Sequence, residues 1–271
     1  MTKSDVLTEE EFKTYKPQEK TIVQLKTFMA SRGCTEKEIK VLDWGCGRGR
    51  FVLWLREQGV DAYGVDIESL PVENGLLLLK EKGYNDNLLS LIDASGRTNF
   101  PDGFFDFVIS ENVLEHVSEL KIVTDEISRI TAANGRGYHI FPAHRQLIEG
   151  HLFMPFIHWI PKGNIRKSLI RLFVGLGREP KWKELEHFNN NEKVETYYNY
   201  SIDKIFYRHY TMVKNQFEQS GLVVNFQTIN NPLVNRHKIF GPLSRDRLTR
   251  PLINWVLLTF KQVEIVVKKD K

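Results

Sequence analysis

The residues Asp43-Trp44-Gly45-Cys46-Gly47-Arg48-Gly49 follow a short run with the pattern of a strand. Glycines at such a turn let the backbone approach a ligand closely and aim N–H groups at its polar atoms. Two nucleotide-type cofactors use this device. The dinucleotide fingerprint needs Gly or Ala at the last position of G-x-G-x-x-G, where this chain has Arg50; glycine falls instead at Gly49. Asp66 ends the next strand-like run, about 20 residues beyond the loop, and an acid there accepts hydrogen bonds from ribose hydroxyls with either cofactor. Asp43 discriminates between them, because a carboxylate repels a pyrophosphate and attracts an amino-bearing or cationic group. Farther along stand His144, Glu149 and His151, residue types able to deprotonate a hydroxyl or an amine. His144, His151 and His158 also share the rhythm of one helical face, although Pro142 and Pro155 oppose a continuous helix.

These groups need a frame to hold them. Apolar periodicity predicts a helix over 20–32 that stops at Gly33, a strand over 40–44, a helix over 51–58 and a strand over 61–66, which together make a βαβ unit. Further elements are predicted over 76–82 (helix), 88–92 and 105–110 (strands), 120–130 (helix) and 137–141 (strand, ended by Pro142). Alternating strands and helices imply an α/β fold with a mostly parallel sheet covered on both faces. Residues 36–142 are its cofactor-binding core. Residues 143–209, rich in aromatic residues, His and Asn, break the rhythm and are expected to form an insertion or lid above the sheet. The remainder, 210–271, resumes with a helix over 210–220 and strands over 221–229 and 263–268, around a second insertion at 231–260. One domain with helical insertions is expected for the whole chain.

The segments 41–49 and 64–67 resemble the first and second motifs of class I, S-adenosylmethionine-dependent methyltransferases. Ile92-Asp93-Ala94, the strand at 105–110 and Val113-Leu114-Glu115-His116-Val117 resemble the segments that follow in the small-molecule and ubiquinone-type branches. The resemblance implies a Rossmann-like seven-stranded sheet with S-adenosylmethionine across the carboxyl ends of its first strands. It lays the cofactor over Gly45, Cys46 and Gly47, with Asp43 near the methionine end, Asp66 on the ribose, and Asp93 and Ala94 at the adenine amino group. Trp44 and Ile67 would flank the cofactor, with Ile67 on the adenine, and Ser110 and Glu111 would line the methionine side. His116 joins this set chiefly by fixing the loop after the fourth strand. Acceptors enter this fold after the fifth strand, which makes His144, Glu149 and His151 the catalytic candidates. The first insertion, together with Tyr15 and the N-terminal segment, would close over the site. Some quinone-type relatives bind a divalent ion through Glu-x-x-Glu-His; Asn112 replaces the first Glu here, and no metal is expected.

The implied activity is methyl transfer to a small-molecule, saccharide or lipid-linked acceptor, with oxygen as the expected nucleophile. Two other readings remain open, a nicotinamide-dependent oxidoreductase and a non-catalytic cofactor-binding regulator. With 38 basic against 34 acidic residues the charge is near balance, and no Lys/Arg stripe is interleaved with stacking aromatics, so a nucleic-acid acceptor is not expected. Two cysteines, one of them inside the glycine loop, fit a reducing, cytoplasmic setting. No spanning run occurs, but the mixed basic and apolar stretches 165–176 and 245–260 leave open a peripheral contact with the inner face of a membrane.

Overall fold

A computed structural model describes residues 8–270. Two helices open the described chain, α1 (Glu9–Lys13) and α2 (Glu19–Arg32), and Gly33 ends α2 at φ 64° as its sequence predicts. The core then alternates: β1 (Lys40–Trp44), α3 (Arg50–Glu57), β2 (Asp61–Asp66), α4 (Ser69–Glu81), β3 (Leu89–Leu91), β4 (Phe105–Glu111), α5 (Leu120–Ile130) and β5 (Thr131–Pro142). The first insertion carries α6 (Asn164–Gly175) and α7 (Asn190–Asp203). After it come α8 (Tyr210–Gln219), β6 (Leu222–Phe226), the second insertion with α9 (Pro232–Arg236), α10 (Phe240–Arg245) and α11 (Arg250–Phe260), and finally β7 (Gln262–Lys269).

The seven strands lie in the order β3-β2-β1-β4-β5-β7-β6, and β7 alone runs antiparallel to its neighbours. Val41, Leu42, Ala62, Val65, Phe107, Val108 and Ile109 are almost entirely enclosed, as strands covered on both faces require. The chain moves outward from β1 through β2 to β3, then returns to the other side of β1 as β4. This reversal opens a crevice beyond the carboxyl ends of β1 and β4, where open α/β sheets bind ligands.

Two elements exceed their sequence prediction. α4 begins at Ser69 rather than near 76, because Pro71 sits in its first turn, where a missing N–H costs nothing, and because Gly75 is a packing residue. A Cβ on Gly75 would stand 2.4 Å from the Arg48 carbonyl oxygen, so this helix rests directly on the glycine turn. β5 begins at Thr131, six residues early, through an irregular stretch that includes Asn134 at φ 58° and a register shift against Phe105 and Phe107. Its alternation is broken there, which hides the strand from a period-2 reading.

Each insertion has a small core of its own. Leu152, Met154, Ile157, Ile170, Val174, Val194 and Tyr197 pack α6 and α7 together, and Ile229, Val234, Ile253 and Leu257 do the same around α11. The mixed stretch 165–176 is thereby divided. Ile170 and Val174 face inward, and Arg166 donates to the carbonyls of Ile160 and Ser201, while Ile165, Leu172 and Leu176 stay exposed. Among the described residues no helix is long and apolar enough to cross a membrane.

Candidate active site

The glycine turn is held by the strand beside it. Gly45 and Cys46 both donate their N–H to the Val65 carbonyl, at 2.7 and 3.0 Å, and Gly47 donates to the Asp66 carboxylate at 2.8 Å. The glycines have different tasks. A Cβ on Gly45 would lie 2.3 Å from a Val113 methyl, so this position lets the loop after β4 pack closely. Gly47, at φ 51°, meets nothing within 4 Å and presents bare backbone to open space, the cradle a nucleoside cofactor needs.

Three carboxylates surround this turn, each from the end of a different strand: Asp43 on β1, Asp66 on β2 and Glu111 on β4. Asp43 is buried, and desolvation, reinforced by the charges of Glu111 and Asp66, pushes its pKa up to about 8. Burial also raises Glu111, which accepts hydrogen bonds from Gln18 Nε2 at 2.6 Å and from the Thr21 hydroxyl, both of α2's first turn region. A buried acid beside two other acids calls for a cation, and the ammonium of a methionine-type ligand answers that need.

The N-terminal segment covers this end. Glu11 closes the capping box of α1 and meets Arg48 of the turn at 3.3 Å, while Tyr15 lies under the Arg50 guanidinium. Burial, with the charges of Asp43 and Glu111, raises the Tyr15 pKa. Tyr15 was named from the sequence; Glu11, Gln18 and Thr21 carry no motif, and only packing reveals them.

Ile67, expected at the adenine, is exposed. Asp66 Oδ1 accepts from the N–H of Glu68, and Asp93 accepts from Ser95 and Arg97 in a local turn, which lowers its pKa, the Ser95 hydroxyl first. Ala94 is exposed beside it. Two expectations are corrected. Trp44, expected to flank the cofactor, is 1% exposed and packed with Leu42, Val65 and Leu114, because alternation along β1 turns it away from Asp43. Ser110, expected on the methionine side, is fully buried, its hydroxyl 2.8 Å from Nδ1 of His139 on β5; alternation along β4 gives the crevice to Glu111 instead.

The loop after β4 and the hairpin after β5 form a second polar cluster. Glu149 is fully buried and accepts hydrogen bonds from the His151 N–H (2.9 Å), the His151 ring Nδ1 (2.8 Å), the Leu152 N–H and the Tyr207 hydroxyl (2.6 Å). Burial would raise its pKa, but these donors more than offset that and leave it lowered. Burial works against the charged form of His151 too, yet the Glu149 carboxylate prevails and raises its pKa. His151 Nε2 faces His116 Nε2 at 3.1 Å, and His116 Nδ1 meets the Lys204 carbonyl at 2.6 Å. The same segment donates the Phe206 N–H to the Glu115 carbonyl, so the end of the first insertion clasps the loop after β4. Glu115 is buried, and desolvation lifts its carboxyl to about 7. Glu149 and His151 thus come together as a pair, whereas His144 lies apart with its ring against His209. No helix joins His144, His151 and His158. Tyr207, 58 residues from Glu149, has no signal in the sequence.

Residues 42–138 match the family model described as "Methyltransferase domain". Over 122 residues, 44% of this chain and 34% of the other, the protein is 31% identical to "Probable tocopherol O-methyltransferase, chloroplastic" of Oryza sativa subsp. japonica. Over 103 residues, 38% of this chain and 41% of the other, it is 28% identical to "Ubiquinone biosynthesis O-methyltransferase" of Pectobacterium carotovorum subsp. carotovorum. The chain spans between a third and a half of the length of these curated relatives. Its fold is that of phosphoethanolamine N-methyltransferase 2 of Haemonchus contortus, solved with S-adenosyl-L-methionine, at a TM-score of 0.52 and 11% identity over 92% of this chain and 53% of that one. Residues 42–138 are thus similar to a methyltransferase domain, and the sheet order and glycine turn around them are of the kind such a domain uses. The insertions lie outside the matched part.

Proposed function

We propose that the protein transfers a methyl group from S-adenosylmethionine to an oxygen of a small-molecule, saccharide or lipid-linked acceptor. The observation that carries this reading is the buried Asp43 carboxylate, held near pKa 8 beside Glu111 and Asp66 at the mouth of a glycine turn. Three converging acids suit an ammonium and a sulfonium and oppose a pyrophosphate, which also speaks against a nicotinamide enzyme. The O-methyltransferase names of two relatives support oxygen.

When bound, S-adenosylmethionine supplies an electrophilic methyl group on sulfur. The chain's part is to hold, orient and exclude water. Asp43 and Glu111 would take the ammonium, Gly47 would let the backbone approach, and Asp66 would exchange the Gly47 N–H for ribose hydroxyls. Ile67, Asp93 and Ala94 would receive the adenine. The acceptor would enter by a cavity of about 450 Å³ lined by Gly150, His151, Phe153, Trp182, Glu184 and Tyr200, with its hydroxyl toward the His116–His151 cluster, where the proton is drawn off as the methyl group arrives. Glu149, saturated and buried, acts by orienting His151. His144 stands outside this arrangement.

Calorimetric titration with S-adenosylhomocysteine, with NAD as control, tests the cofactor half: saturable binding that Asp66→Ala weakens is expected, and a preference for NAD would overturn the reading. A rate assay with labelled donor and a hydroxyl-bearing acceptor panel tests turnover, which a purely regulatory protein would lack. The exposed Leu147, Ile148, Phe153, Phe156 and Trp159 near this cavity, with Leu248, Leu252 and Trp255 around α11, favour an amphipathic acceptor met at a membrane surface. Sedimentation with anionic liposomes at low and high salt checks that contact, and no binding at either salt would remove it.

A further inference from the structure

Glu115 is 3% exposed, and neither of its carboxylate oxygens has a hydrogen-bond partner. Leaving such a group unmet is costly, so an uncompensated buried acid points to a missing cation. The two histidines beside it are prepared for one. His116 Nδ1 faces the Lys204 carbonyl and His151 Nδ1 faces the Glu149 carboxylate; both oxygens only accept, so each Nδ1 carries the hydrogen. Each Nε2 then faces the other, 3.1 Å away, so the pair either shares a proton or binds a common ion, and the unmet Glu115 carboxylate beside them favours the ion. Two imidazole nitrogens on one zinc-like ion lie roughly 2.9–3.4 Å apart. One ligand atom from each of Glu115, His116 and His151 falls within 4.8 Å of the others. Metal-bound histidines are oriented by a carbonyl or carboxylate on the opposite nitrogen, the arrangement both rings have here.

We propose that Glu115, His116 and His151 bind one divalent transition-metal ion of the zinc, cobalt or ferrous class, with an open ligand position toward the cavity of Gly150, Phe153 and Tyr200. The sequence argued against a divalent ion because Asn112 removes a carboxylate, and Asn112 is indeed exposed, at φ 55°. The tertiary structure substitutes a nitrogen from the insertion, 35 residues beyond His116, and two nitrogens with one oxygen select borderline metals over magnesium. The site stands without the methyl-transfer reading; with the ion bound, an acceptor hydroxyl would meet its open ligand position rather than a free histidine nitrogen.

The test is titration of the full, chelator-stripped chain with Co²⁺ followed by absorption, and with Zn²⁺ followed by calorimetry. One equivalent is expected, with the visible bands of a low-coordinate cobalt ion. Glu115→Gln and His151→Ala should each weaken binding by more than about 100-fold, as loss of a ligand exceeds loss of its outer partner, while the exposed His187→Ala changes nothing. S-adenosylhomocysteine titration of the same variants reports whether each is folded. Binding of neither metal, binding unchanged in a folded His151→Ala or Glu115→Gln variant, or a site filled only by Mg²⁺, would overturn the proposal. Failure of S-adenosylhomocysteine to bind while the metal still does would instead count against the methyl-transfer reading.

Discussion

The acidic crevice at the glycine turn and the Glu149–His151 cluster sit on the same carboxyl edge of the sheet, but they are assembled by different means. Asp43, Asp66 and Glu111 are strand-terminal residues set by the hydrogen-bonded register of β1, β2 and β4, and the glycine turn between them is one continuous segment. Glu115, His116, Glu149, His151, Lys204 and Tyr207 come from three loops that meet only when the first insertion folds back over β4. The crevice is a property of the sheet, and the cluster is a property of the insertion. A scaffold built this way can keep its cofactor while its acceptor chemistry is changed by the insertion alone.

Separate perturbation of the two regions is the sharpest way to break this comparison. His151→Ala and Glu149→Ala should lower the methyl-transfer rate by about 10²- to 10⁴-fold with S-adenosylhomocysteine affinity unchanged in calorimetry, and His144→Ala should leave both nearly as they were. An equal fall in cofactor affinity would show that the regions are one site. Asp66→Ala should do the converse, weakening S-adenosylhomocysteine by about 100-fold through loss of charged hydrogen bonds to two hydroxyls, and the same turnover number at saturating donor would confirm the division.

The next effect concerns Asp43 and pH. Its carboxyl must ionise to hold an ammonium, and its pKa in the free protein stands near 8, so S-adenosylhomocysteine affinity should rise by about tenfold per pH unit from pH 6 towards 8. Asp43→Asn should flatten that dependence. For folding the sign is opposite: the folded state holds this proton over the range, about pH 4 to 8, in which the unfolded chain has lost it, so the group costs stability as pH rises. The free Asn variant should therefore melt higher than the parent at pH 8 while binding cofactor more weakly, and a lower melting temperature would contradict the assigned burial.

The smallest expected change is at the cover. Glu11→Gln removes an exposed ion pair with Arg48 and should cost at most about 1 kcal/mol, seen as a several-fold loss of S-adenosylhomocysteine affinity that added salt abolishes. A larger loss would mean that α1 belongs to the crevice rather than over it.

The regular half of this protein was legible because its signals are local. Short apolar runs marked β1, β2 and β4, Gly33 marked the end of α2, and the glycine turn with Asp43 and Asp66 at two strand ends was readable because it needs only backbone geometry. The resemblance to the family also pointed to Trp44 and Ser110, and both are buried, because alternation along a strand turns them to the face opposite Asp43 and Glu111. It was silent at Gly75, which reads as a helix breaker and is a contact.

What the sequence by itself determined is thus the α/β frame and the glycine turn with the acids at its strand ends, all encoded within a few residues of one another. The meeting of Glu115, His116 and His151, the support of Glu149 and Tyr207 behind them, and the closure of Gln18 and Thr21 onto Glu111 were decided only by the tertiary structure. Each joins segments tens of residues apart, and such contacts follow from how buried faces pack, which no local spacing records.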